Sequence, residues 1–297
     1  MSALLAIVAL LAGAYFVAVL EGWASTGRFR PAGPVLAGLS LLGRESVVPR
    51  RPDRIFFEVA PPLLLASAVL AAAVLPLAPG LIVADLATGA LFVNAALAYV
   101  MVALLMAGWG PDGAYAMVGG FRFLGQLVAY SMLIVMPVTA VAMRAESLTT
   151  TEVVASQAPL PNALYQPVGF AVFLVAAMAV CFLPPFDLPT ALGELAGGVM
   201  AEYTGWRLAM MRLARAVLVV TLASSIAVFY LGGWLGPLLP PWAWTAAKTL
   251  AVAAAMLFVG RYVPRVREAD LLAWCWKIGI PLALFNIFFV GVLLLVV

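Results

Sequence analysis

Asp187, Glu194 and Glu202 fall within the stretch PPFDLPTALGELAGGVMAEYTG, in a chain that is otherwise almost entirely hydrocarbon. Carboxylates in such a setting can exchange protons, or pair with a cation. If residues 188–202 are helical, Glu194 lies roughly 20° around the axis from Asp187, and Glu202 roughly 80° further on, so the three share about one side. Ala191, Gly193, Ala196, Gly197 and Gly198 would let a second backbone approach such an interfacial helix closely. Asp187 follows two prolines that end the preceding apolar run, where a carboxylate is favoured as an N-cap. The plainer alternative is that the three are solvated loop carboxylates and Asp187 only a cap.

Composition decides the setting. Of 297 residues, 66% are hydrophobic and 10% charged, with mean hydropathy +1.13, whereas soluble domains are about a quarter charged. This is an all-α, polytopic transmembrane helix bundle forming a single membrane domain, 1–297. His is absent and the two cysteines, Cys181 and Cys275, lie in apolar runs. That argues against a disulfide framework, a Cys/His metal site and a histidine base.

Apolar runs long enough for a bilayer of about 30 Å occur at 2–22, 55–78, 81–107, 121–143, 165–183, 213–235, 242–260 and 271–296, about eight spans. The first has no basic n-region and reads as a retained span rather than a signal peptide. Eight spans put the loops after spans 1, 3, 5 and 7 on one side. They carry Arg28, Arg30, Arg44, Arg50, Arg51, Arg54, Arg122, Arg207, Arg212, Arg215, Arg261, Arg265 and Arg267, against Arg144 alone opposite. By the positive-inside rule that side is cytoplasmic and both termini face away from it. This asymmetry accounts for the net charge of +3, and nothing points to nucleic acid.

Two cytoplasmic loops dominate, about 23–54 and 184–212, long enough to be binding surfaces. Within the spans, Glu58, a turn into the second and beside VAPP, is the candidate buried acid. Lys248 either snorkels or pairs inside the bundle, while Asp85 and Lys277 read as interfacial. Glu21 closes the first span.

The segments PFDLP, GELAGG and AEYTG resemble the Pro-Phe-Asp-Leu…Glu-Leu…Glu-Tyr-Ser-Gly loop of the membrane component that joins the two arms of respiratory complex I. That family is the H subunit of bacterial NADH-quinone oxidoreductase, with counterparts in membrane-bound NiFe hydrogenases and formate hydrogenlyases. GPVLAGLSLLGRESVVPRRPDRIFFEVAP and AYAMVGGFRFLGQLVAYSM resemble two further family stretches, so the likeness covers most of the chain. Departures are specific: Ser131, Val180, Thr190 and Ala214–Arg215 stand where quinone-reducing members carry glutamates, and GRFRPAGP lacks their Gln and Asn. These losses favour the hydrogenase branch.

The resemblance implies a non-catalytic subunit of an oxidoreductase, a membrane anchor for an iron-sulfur small subunit and a catalytic large subunit, beside antiporter-like membrane subunits in a prokaryotic inner membrane. Iron-sulfur clusters, and in the hydrogenase branch a NiFe centre, would belong to those partners; this chain binds none, and a quinone remains open. Glu21, Glu58, Asp187, Glu194 and Glu202 are the proton-relay candidates, and Arg28, Arg30, Arg44, Glu45, Arg50, Arg51, Asp53 and Arg54 the docking candidates. Those arginines suit acidic partner surfaces or anionic lipid headgroups equally. The alternatives are a quinone-binding component of NADH-quinone oxidoreductase and, from another class, a stand-alone transporter or channel. The lack of repeats counts against the last.

Overall fold

A computed structural model describes residues 2–237 and 239–296. Thirteen α-helices are formed among them: α1 (Ser2–Thr26), α2 (Gly33–Leu42), α3 (Arg54–Ala73), α4 (Gly89–Trp109), α5 (Ala114–Ala145), α6 (Thr150–Ala155), α7 (Asn162–Tyr165), α8 (Pro167–Val180), α9 (Leu192–Leu195), α10 (Gly205–Tyr230), α11 (Pro241–Tyr262), α12 (Glu268–Trp274) and α13 (Ile280–Val296). A π-helical turn, Cys275–Gly279, joins the last two into one apolar rod. Seven helices are long and apolar enough to cross a membrane. The expected fifth span is instead the 14-residue α8, roughly 21 Å long at 1.5 Å per residue. It is short because Gln166 and the residues after Val180 leave helical geometry, and most of it is buried among other helices.

Backbone contacts sort the connections into two ends. At one, Asp53 N donates to Gly110 O at 2.8 Å and Val266 N to Pro185 O at 3.2 Å. This loop end holds both long loops. At the opposite end Ala90 N donates to Leu148 O at 2.9 Å, and the Thr150 hydroxyl to Val74 O at 2.8 Å. α10 is the axis of the bundle, buried without a break from Val217 to Tyr230, which is why its sequence is apolar around its whole circumference. α1 and α13 lie outside, with Leu4, Leu5, Ile7, Val8, Phe288 and Leu295 exposed.

Three boundaries differ from the sequence reading. The third span begins at Gly89, because residues 81–88 fold back through an Ala78–Leu81 bridge. The sixth begins at Gly205, so Arg207, Arg212 and Arg215 stand on α10 and not in the loop. The first loop contains α2, opened by Pro34 in its first turn.

The expected interfacial helix over 188–202 does not form. Only α9 and a 3-10 turn, Gly198–Met200, are helical there, because Ala196, Gly197 and Gly198 take positive φ of 51°, 104° and 51° in succession. The small residues serve a close approach of another kind: a Cβ on Gly198 would stand 1.9 Å from Pro189 O, so the loop packs on itself.

At the far end, Lys248 caps the axis. Its ammonium donates to Leu231 O, Gly233 O and Leu235 O at 2.7, 2.9 and 2.8 Å, just beyond the C-terminus of α10, where carbonyls lack helical partners and the helix dipole favours a cation. It therefore pairs inside the bundle with backbone. Gln157 and Asn162, both buried, add bonds to Val228 O and Phe229 O at 2.8 and 2.7 Å.

Two outcomes test this packing. Lys248→Met leaves carbonyls unpaired and is expected to destabilise the chain by about 2–3 kcal/mol, read from denaturant unfolding in detergent. Gly108→Ala raises helix propensity by about 1 kcal/mol, yet its Cβ would lie 2.8 Å from Ala116 O and Gly120 Cα. Overpacking of this kind costs about 1–3 kcal/mol, so a net loss of stability is expected in the same assay.

Candidate functional site

Four of the five relay candidates meet an arginine at the loop end. Glu21, in the last turns of α1, accepts from Arg215 of α10 at 3.0 Å. The same guanidinium donates to Cys181 O and Phe182 O at 3.4 and 3.3 Å, tying the end of α8 to that pair. Glu58 and Arg207 form a fork, Nε to Oε2 at 3.0 Å and Nη2 to Oε1 at 2.5 Å. Arg207 also donates to the Ser46 hydroxyl and lies over the rings of Phe57 and Trp206 at 5.2 and 5.0 Å. Its side chain is 9% exposed, while that of Glu58 is 44% exposed. Glu58 is thus not the buried acid expected; it lies only a turn inside α3, and the fork draws its carboxylate to the guanidinium at the loop face.

Asp187 is buried but caps no helix: its carboxylate pairs with Arg265, because no helix follows it. Glu194 pairs with Arg122 at 2.7 Å, and Arg122 reaches Glu268 at 3.5 Å, so one cation joins α9, α5 and α12. Glu202 stands apart. It lines a cleft of about 460 Å³ with Pro49, Arg50, Arg51, Pro111, Asp112 and Gly113. A Cβ on Gly113 would meet its Oε1 at 3.1 Å. Its carboxylate therefore faces the start of α5, which lacks a side-chain cap and whose dipole favours an anion.

The docking candidates divide. Asp53 is the N-cap of α3, accepting from Ile55 N and Phe56 N at 3.2 and 3.4 Å. Arg28, Arg30, Arg44, Glu45, Arg50, Arg51 and Arg54 are exposed, and none makes an ion pair among the described residues.

The arginine partners Arg122, Arg207, Arg215 and Arg265 were counted in the sequence only as charges on one side. The available signal was that Glu21 and Glu58 lie inside apolar helices, where a charge needs a partner. Tyr203 gave no signal. Its ring stacks on Phe57 at 4.6 Å, its hydroxyl donates to Phe57 O at 3.4 Å, and burial pushes its pKa above the ordinary phenol value. Among the described residues no group of three or more His, Cys, Asp or Glu converges as a metal site.

Comparison with known proteins places this arrangement in a lineage. A model of the NADH dehydrogenase family matches residues 31–291. The chain belongs to the NADH dehydrogenase subunit 1 family. This family member is 36% identical over 274 residues to a second-copy H subunit of the NADH-quinone oxidoreductase of Syntrophobacter fumaroxidans, covering 89% of this chain and 83% of the relative. It is 36% identical over 263 residues to the H subunit of the NADH-quinone oxidoreductase of Syntrophotalea carbinolica, covering 86% and 80%. In fold it is similar to a chain of the membrane-bound sulfane sulfur reductase, an archaeal respiratory membrane complex, with TM-score 0.87 and 23% identity over 97% of this chain and 98% of that one. Like the family, it is an integral membrane protein.

Arg122 holds the Glu194 carboxyl below its ordinary value of 4.5, first by its hydrogen bond and then by its charge. A lowered folded pKa gives stability that is present above the unfolded value and lost as pH falls through the folded one. Full exposure keeps that contribution small. Arg122→Gln is expected to move the Glu194 titration up toward 4.5, read as the infrared carboxylate band that Glu194→Gln removes.

Proposed function

We propose that this chain is the membrane-anchor and coupling subunit of a complex I-like energy-converting oxidoreductase of the membrane-bound NiFe hydrogenase or formate hydrogenlyase type. The observation that carries this reading is the loop end itself: two long loops, a row of unpaired arginines and every relay candidate share one face of the bundle. The iron-sulfur small subunit and catalytic large subunit would dock there, with antiporter-like subunits and lipid along the exposed apolar helices. The arginine asymmetry makes that face cytoplasmic, both termini lying on the other side of a prokaryotic inner membrane. Iron-sulfur clusters, and a NiFe centre in this branch, would reside in the partners.

Coupling follows from the pairing. A carboxylate beside a guanidinium stays ionised, and takes a proton only when the arginine withdraws. Glu21, Glu58, Asp187 and Glu194 would load protons by exchanging arginine partners as the docked subunits change redox state, with Glu202 at the open cleft. The hydrogenase branch rests on the glutamates absent at Ser131, Val180, Thr190 and Ala214–Arg215. A second reading, a quinone-binding component of NADH-quinone oxidoreductase, is favoured by the names of the two relatives at 36% identity.

Mild-detergent purification of a tagged copy from its native membrane, with mass spectrometry of partners and analysis for nickel and iron, tests the proposal. Nickel and iron with a hydrogenase-like large subunit are expected. Iron with a flavin-containing NADH-oxidising partner and no nickel would establish the second reading instead. A lone protein without iron would overturn both.

A further inference from the structure

The two long loops are stitched together at one line, and Arg207 lies under it. Val47 N donates to the Thr204 hydroxyl at 2.8 Å, and the Ser46 hydroxyl to Thr204 O at 3.4 Å, joining loop positions 157 and 158 residues apart. Gly205 has φ of 59°, and a Cβ there would stand 3.0 Å from Arg44 O and 3.1 Å from Ser46 Cα, so the backbones are in contact. Directly after it, Arg207 grips Glu58 of α3 by a fork and spends its remaining amino group on Ser46. One nearly buried guanidinium therefore holds three chain segments: the first loop, the end of the second, and α3.

We infer that Arg207 is a positioning residue that fastens the two loops into one rigid body, and that the seam at residues 44–47 and 203–206 stays closed only while the Glu58–Arg207 fork is intact. The reason is energetic asymmetry. Two hydroxyl bonds at a solvent-facing seam contribute little, because water competes for each group. Removing one partner from a half-buried fork leaves the other charge uncompensated, which disrupts far more than a hydrogen bond does. Ser46 joins the fork only through a third arm of the guanidinium, so rotation of Arg207 releases the first loop and the second together. A lysine cannot reproduce this, having no planar fork. The consequence for partners rests on the docking reading above: a surface made from both loops exists only while the seam is shut.

Hydrogen exchange of the full chain in lipid nanodiscs, together with partner retention on the tagged chain from native membrane, tests the inference. Glu58→Gln is expected to speed amide exchange in residues 44–47 and 203–206 together by about tenfold, while Arg122→Gln, which breaks a different ion pair at the same end, leaves both segments unchanged. The charge-reversed pair Glu58→Arg with Arg207→Glu is expected to bring exchange back to within about twofold of the parent. Where Glu58→Gln does not yield folded protein, Arg207→Lys carries the test, with exchange in both segments between that of the parent and full release. Exchange that rises in one segment alone, or in neither, overturns the inference. Opened seams with all partners retained would support the seam and count against docking on both loops. Partners lost with exchange unchanged would overturn the seam.

Discussion

Cations at the two ends of α10 are the interaction on which the rest depends. A helix buried on every side in a bilayer gains little from hydrophobic association, since lipid tails are as apolar as its neighbours. Its position is therefore set by polar contacts at its ends and close packing along its length. At the loop end Arg207 takes Glu58 of α3 and Arg215 takes Glu21 of α1. At the far end Lys248 of α11 closes on the carbonyls that follow Tyr230. Three neighbouring helices are thus referred to one axis.

The same pairing organises the candidate site. Carboxylates scattered along the sequence, at 21, 58, 187 and 194, come to one face because each meets a guanidinium from another element. Charges near the membrane boundary are tolerated there in pairs. A paired carboxylate is also a gated proton acceptor, so an arrangement that holds the helices together is suited to respond when a neighbouring charge changes. The platform and the coupling residues are in this sense one structure.

Short helices and left-handed turns complete it. α8 does not reach the length of its neighbours, and the chain after it runs back under α5 and α11, where a Cβ on Gly119 or Gly260 would collide with the carbonyls of Pro189 or Pro184. Glycine at those crossings is what lets the second loop lie flat against the bundle.

Composition and spacing alone determined the class of protein, the number and approximate limits of the apolar segments, the two long loops and the end to which they belong. These follow from the solvent, since a bilayer demands apolar runs of a set length and leaves charges at their edges. Family-like segments located the carboxylates and led to the right lineage. Only the tertiary structure decided that Glu58 faces outward onto Arg207, that Asp53 and not Asp187 is the helix cap, that residues 188–202 turn back at Ala196–Gly198, and that Lys248 serves backbone. Helical periodicity cannot see a run of positive φ, nor which of fourteen arginines lies across from a given carboxylate, because both depend on contacts between segments up to 194 residues apart in the chain.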